Sequence, residues 1–145
     1  MKFLLDTDHA SVLQRASSKD AENILKRMQE CSRDDFSLSI IGFHEQVKGA
    51  LDILSQANDK ASKLQSGYSL LFGILNAYKN AKILPFDARA LEIYDRLSQE
   101  VRIIKRMRMD FRIASIAIAH NLVLLTRNAR DFERVPGLRI EDWTQ

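Results

Sequence analysis

MDFRIASIAIAHNLVLLTRNARDF, residues Met109 to Phe132, joins an apolar helical segment to an apolar strand and carries an acidic residue near either end. Asp110 opens a run in which Phe111, Ile113, Ala114, Ile116, Ala117, Ile118 and Ala119 leave almost no polar face. That pattern predicts a buried helix that starts on a carboxylate. Asn121 can end the helix in the left-handed conformation. The unbroken Leu122 to Leu125 run then predicts a central strand covered on both faces. Thr126, Arg127 and Asn128 leave that strand into a polar turn, and Asp131 comes next among the acids. A buried unit with acids where its ends meet solvent has the form of one wall of an active site.

Outward from this unit, helices and strands alternate. Lys2 to Leu5 reads as a first strand and a turn, with Thr7, Asp8 or Ser11 available to cap the next helix. Ala21, Ile24, Leu25 and Met28 recur at helical spacing between Ser17 and Cys31. Phe36, Leu38 and Ile40 alternate with Ser37 and Ser39 as in a strand, which Gly42 breaks before a helix bearing Val47, Ala50, Leu51 and Leu54. Asn58 and Asp59 interrupt that helix. Another runs from Lys60 to Lys79 with Ala61, Leu64, Tyr68, Leu71, Leu75 and Tyr78 along one face. Lys82 to Leu84 is a short strand stopped by Pro85, Asp87 to Val101 is helical, and Pro136-Gly137 turns the chain into an edge strand, Leu138 to Trp143. The alternation predicts an α/β protein with a mainly parallel sheet and helices on its faces.

At 145 residues the chain is expected to form one domain, 1–145, burying roughly two-thirds of its unfolded surface. Apolar residues at 46% and charged residues at 28% are ordinary globular values. Cys31 is the only cysteine, so no intramolecular disulfide is available and a reducing compartment is the simpler setting. MKFLLD meets an acid too early for a signal-peptide core, and no apolar run is long enough to span a bilayer, so a cytoplasmic location without membrane contact is expected. A net charge of +3 and a pI near 9.1 are compatible with a polyanionic partner.

In parallel sheets, ligands bind beyond the carboxyl ends of the strands. Asp6, Asp8, Asp87, Asn128 and Asp131 all come after predicted strands, Glu45 lies in the first turns after another, and Asp110 starts a helix at the same edge. Like charges brought together raise one another's pKa, so a cation must offset them. A hard divalent ion with oxygen ligands suits the role, and such an ion can activate water and stabilise a phosphoryl group. His9, His44 and His120 lie far apart, which excludes zinc spacing, and neither a dinucleotide glycine motif nor a P-loop is present.

LLDTDHASVL at Leu4 to Leu13, Glu45 followed by Gly49, LPFD ending at Asp87, the Met109 to Phe132 unit and VPGLRIEDW at Val135 to Trp143 occur in this order along nearly the whole chain. Together they resemble the PIN-domain toxins of the VapC family. The resemblance implies a three-layer α/β/α PIN-like fold, a Mg²⁺- or Mn²⁺-dependent endoribonuclease activity, and inhibition by a VapB-type antitoxin. By position it also implies that Asp6, Glu45 and Asp110 are the catalytic, metal-binding acids. The fourth position falls on Asn128, an amide where many PIN domains have an acid, or on Asp131 one turn later.

Each residue also has a plainer reading. Asp110 alone could be a helix cap worth about 0.5 to 2 kcal/mol, Asp6 a turn residue, and Asp8 or Asp87 a cap. Glu45 lies off the apolar stripe of its helix, so its assignment rests mainly on the resemblance. Arg102, Lys105, Arg106, Arg108 and Arg112 bracket Asp110, with Arg127 and Arg130 beside Asn128; this basic run suits an RNA backbone, with tRNA among the candidates, or else a solvated helix end. Tyr68, Leu70, Leu71 and Phe72 offer an antitoxin groove or ordinary packing with a homodimer seam. Two rival functions are a catalytically inactive PIN-like module that binds RNA or protein, and a small-molecule phosphohydrolase on the same sheet.

Overall fold

The computed structural model describes residues 2–15 and 17–145; Met1, which opens the expected domain, and Ala16 lie outside them. The strands are β1 (Phe3–Leu5), β2 (Phe36–Ser39), β3 (Ile83–Leu84), β4 (Val123–Leu125) and β5 (Arg139–Glu141). The helices are α1 (Thr7–Arg15), α2 (Lys19–Met28), α3 (Ile40–Ser55), α4 (Ala61–Tyr78), α5 (Ala88–Glu100), α6 (Arg108–Ala119) and α7 (Ala129–Phe132). The sheet order is β3-β2-β1-β4-β5, and every pairing is parallel.

Because side chains alternate across a strand, the two central strands feed both faces of the sheet. Phe3 and Leu5 of β1 and Val123 and Leu125 of β4 pack with Val12, Ala21, Ile24 and Trp143, under α1 and α2. Leu4 and Leu124 pack on the other face with Leu97, Met107, Phe111, Ile113 and Ile116, under α5 and α6. The result is three layers, α/β/α. Asn121 takes φ 53° between α6 and β4, and the edge strand β5 falls where the Pro136-Gly137 turn predicts it. No described helix is long and apolar enough to cross a membrane.

Local differences from the sequence reading have identifiable causes. The stretch read as a turn after β1 is the helix α1, started by Asp6, whose Oδ1 accepts the Thr7 N–H at 2.8 Å. Strand β2 ends at Ser39, which caps α3 by accepting the Gly42 N–H at 2.9 Å, so Gly42 lies inside the helix and Ile40 begins it. Helix α6 begins at Arg108, two residues before Asp110, and has no side-chain cap. In α4 the buried or half-buried line is Leu64, Gly67, Leu71, Ile74 and Tyr78, whereas Tyr68 and Leu75 are exposed. Gly67 explains the rotation: a Cβ there would meet Leu54 at 2.7 Å, so only glycine lets α3 and α4 come this close.

Candidate active site

The chain runs outward from β1 through β2 to β3 and then returns to the other side of β1 as β4. The order therefore reverses between β1 and β4, and the crevice beyond their carboxyl ends is where an open α/β sheet binds ligands. Asp6 is the first residue past β1, and its N–H extends the ladder to the Leu125 carbonyl at 2.9 Å. Its side chain is buried between two donors: Oδ1 accepts the Thr7 N–H, and Oδ2 accepts the Thr126 hydroxyl at 2.8 Å. Each oxygen keeps further accepting capacity.

Thr7 links a second acid to the first, because its hydroxyl donates to Glu45 Oε1 at 2.9 Å. Glu45 is half-buried in the second turn of α3, which the Ser39 cap aims at the crevice. Asp110, in the first turn of α6, is half-buried and makes no side-chain hydrogen bond among the described residues. It is not a cap, because Met107 holds that position. Asn128 and Asp131, read from the sequence as alternatives, act as a pair: the Asn128 Nδ2 donates to Asp131 Oδ2 at 2.9 Å, and Arg106 donates to the same oxygen at 3.2 Å. Because a carboxylate only accepts, the Asn128 amide nitrogen must face Asp131, leaving its oxygen free.

The electrostatics tie these groups into one cluster. Burial, then the negative charge of Asp8, raises the Asp6 pKa from 3.8 to about 7, against the pull of its hydrogen bonds. Burial, then Glu45, Asp131 and Asp8, raises Asp110 to about 6. Burial also raises Glu45, while the Asn128 amide and then Arg106 hold Asp131 below the usual range. Asp87 takes the plainer role, capping α5 by accepting the Ala90 N–H at 3.0 Å. Asp8 is also committed within the protein, with Oδ1 at 2.9 Å from His9 Nδ1 and Oδ2 accepting the Arg127 N–H at 3.1 Å.

Among the described residues, no three Asp, Glu, His or Cys side chains stand as joint ligands of one point. Mg²⁺ needs only one or two carboxylates and completes its shell with water and substrate oxygen. Asp6, Glu45 and Asp110 supply oxygen donors whose pKa values burial, and then neighbouring carboxylates, raise, and none of the three forms an ion pair among the described residues. The donor set thus fits a hard divalent ion, and His9, with both nitrogens engaged inside the protein, adds no zinc ligand.

The basic residues divide. Arg102, Lys105 and Arg108 are exposed and make no ion pair among the described residues. Arg106 is committed to Asp131 and Arg127 to Asp20, each at 3.2 Å, while Arg112 lies over the Tyr94 ring on α5 at 5.8 Å. The sequence reading missed Tyr78 at this site. It ends α4, its ring stacks edge-on to Phe43, and Gly42 provides the clearance for its hydroxyl, since a Cβ there would meet it at 3.3 Å. Only the α3-α4 crossing brings it beside Glu45 and Asp6, whose charges add to burial in raising its pKa. A separate cavity of about 580 Å³ opens between α1, β2 and the end of α4, lined in part by Leu13, Gln14, Phe36 and Ala77 and by none of the clustered acids.

Known proteins share this architecture. The chain is 56% identical over 34 residues, 23% of its length and 26% of the relative, to a protein of Salmonella typhimurium named tRNA(fMet)-specific endonuclease VapC. A protein of the same name from Shigella flexneri is 25% identical over 99% of each chain. The crystal structure of DNA-bound VapBC from Salmonella typhimurium superposes with a TM-score of 0.72 at 26% identity, over 99% of this chain and 98% of that one. The PIN domain family model matches residues 3–138, from β1 through α7 with all five clustered site positions inside it, and the chain belongs to the PIN domain family.

Proposed function

We propose that this protein is a single-domain, metal-dependent endoribonuclease, the toxin of a toxin-antitoxin pair, with tRNA as its substrate class. The observation that carries this reading is the meeting of Asp6, Glu45 and Asp110 in the β1-β4 crevice, with charge that burial and mutual repulsion make costly and that no ion pair among the described residues offsets. Asp6, Glu45 and Asp110, one or two of them directly and the rest through water, would hold Mg²⁺ or Mn²⁺, with the Asn128 oxygen or Asp131 at the fourth position. When bound, the ion supplies charge neutralisation and Lewis acidity toward a phosphodiester.

The chain's own groups do the rest. Thr7 and Thr126 fix Asp6 and Glu45 in place, so that their geometry is set before substrate arrives. Arg102, Lys105 and Arg108, without an ion pair among the described residues, hold the RNA backbone as it crosses the start of α6. The Arg106 pair with Asp131 and the Arg127 pair with Asp20 keep those two cations beside the crevice, where phosphate competes for them. The name of the two curated relatives supports tRNA as the first substrate to try. A VapB-type antitoxin and a second copy of this chain are the proposed partners, in the reducing cytoplasm. Tyr68 and Phe72 of α4, 60% and 65% exposed, offer them apolar surface.

The test is cleavage of purified tRNA and of a mixed RNA pool with Mg²⁺, with Mn²⁺ and with EDTA, alongside Asp110→Asn. We expect metal-dependent fragments from wild type and none from the variant. The variant should melt at least as high as wild type in EDTA, because a buried like charge is removed, and should gain less from added Mg²⁺. Equal metal-induced shifts would remove Asp110 from the ligand set. Absence of cleavage by folded, antitoxin-free protein would favour a binding module. Replacing Lys105 and Arg108 by Ala should flatten the salt dependence of RNA binding by a slope of about 1 to 2; an unchanged slope would place the RNA elsewhere.

A further inference from the structure

His9 is fully buried, and each of its ring nitrogens meets a specific partner. The Trp143 backbone N–H points at Nε2 from 3.2 Å, and an amide can only donate, so Nε2 accepts. The neutral ring then carries its proton on Nδ1, which donates to Asp8 Oδ1 at 2.9 Å. Asp142 Oδ1 also lies 3.8 Å from Nε2, but the nearer amide hydrogen takes the one lone pair of that nitrogen. The second Asp8 oxygen accepts the Arg127 N–H at 3.1 Å. Arg127 lies between Thr126, which donates to Asp6, and Asn128, whose N–H donates to the Thr126 hydroxyl at 3.0 Å. An unbroken series of contacts therefore runs from the C-terminal strap through His9 and Asp8 to the loop that orients Asp6.

We propose that His9 is a positioning residue: its Nδ1–H sets Asp8 against the Arg127 backbone and so fixes the Thr126 to Asn128 loop around Asp6. The assignment rests on the metal-dependent reading of the crevice. Asp8 could not do this alone. Its side chain is 24% exposed and can rotate toward water, whereas a fully buried ring bonded to one oxygen holds that oxygen and thereby aims the other. The ring's other partner is itself packed in place: Trp143 lies against Phe3 with centroids 4.7 Å apart, and Arg27 lies over its indole at 5.4 Å.

Two isosteres separate the halves of the ring. The side-chain nitrogen of asparagine overlays Nδ1, so His9→Asn keeps the bond to Asp8 and loses the one to Trp143. The amide oxygen of glutamine can stand at Nε2, so His9→Gln keeps Trp143 and loses Asp8. The readouts are the Mn²⁺ concentration giving half of the metal-induced rise in Tm, the initial rate on tRNA, and the metal-free Tm. His9→Asn is expected to keep the wild-type midpoint and rate, while His9→Gln, with a similar metal-free Tm, needs about tenfold more Mn²⁺ or more and loses rate in proportion. A midpoint for His9→Gln equal to wild type, or losses in both variants that simply track Tm, would overturn the assignment and leave the active-site reading standing. A wild-type protein whose Tm ignores Mn²⁺ would overturn both. Nitrogen NMR of the wild-type ring needs no variant: a proton on Nδ1 supports the proposal, and a proton on Nε2 alone refutes it.

Discussion

Asp6 is the only acid among the described residues that the fold buries, and burial determines how it responds to pH. Its pKa and that of Asp110 are higher in the folded chain, about 7 and about 6, than the 3.8 of an exposed aspartate. The native state thus binds these protons more tightly than the unfolded state. Their contribution to stability is complete below about pH 4 and is lost as pH rises through 6 to 7. Asp131 and Asp142, held low, work the other way, since their contribution is lost as pH falls below about 4. Metal-free protein should therefore be most stable near pH 4 to 5 and lose Tm toward pH 7.5, with Asp6→Asn flattening that loss and Mg²⁺ reversing it in wild type. Thermal melts across this range in EDTA check the prediction; a Tm that rises between pH 5 and 7.5 would contradict it. Asp6 stands out in the sequence where the first apolar run stops, and Asp110 where the apolar run of α6 starts. Glu45 was not legible from its helix alone, since a carboxylate off the apolar stripe looks solvated until the Thr7 hydroxyl arrives from another element.

The element that most needs its neighbours is the α3-α4 pair. Periodicity located both helices, and the positive φ of Asn58 and Asp59 marks the break between them. It misjudged which face of α4 is buried, because apolar residues occupy most of its circumference and only the close approach at Gly67 selects a side. Gly67→Ala should cost about 1 to 3 kcal/mol in urea unfolding, since the added methyl meets Leu54 in a packed interface. A midpoint within error of wild type would mean that α4 slides freely on α3. Gly42 was misread as a strand breaker for a related reason: the small residue serves clearance, with the Tyr78 hydroxyl, Ser39 Oγ and Thr7 Oγ1 all within 3.3 to 3.5 Å of an added Cβ. The helix expected after a cap at Thr7, Asp8 or Ser11 is α1, but it starts at Thr7 itself, so all three residues lie within it, and Val12 packs it with Phe3 and Leu5 of β1.

For the whole molecule, the apolar face left on the α3-α4 pair is the main unpaired surface among the described residues, with Leu51, Tyr68, Phe72 and Leu75 all more than half exposed. Wild type is expected to run as a dimer by light scattering at micromolar concentration, and Phe72→Asp as a folded monomer, because a buried unpaired carboxylate opposes association. A wild-type monomer would assign that face to the antitoxin alone. The sequence by itself determined the alternation of helices and strands, the mainly parallel sheet, and the places of Asp6 at the end of the β1 run and Asp110 at the start of the α6 run, because hydrophobic period and chain punctuation are local quantities. Tertiary structure alone decided which side of α4 is buried, that Asn128 and Asp131 act together, that Arg106, Arg112 and Arg127 have protein partners, that Tyr78 lies beside Glu45 and Asp6, and that His9 is held between Asp8 and Trp143. Those facts depend on contacts between residues far apart in the chain, such as His9 and Trp143 or Asp8 and Arg127, and local pattern holds no record of a distance that only packing creates.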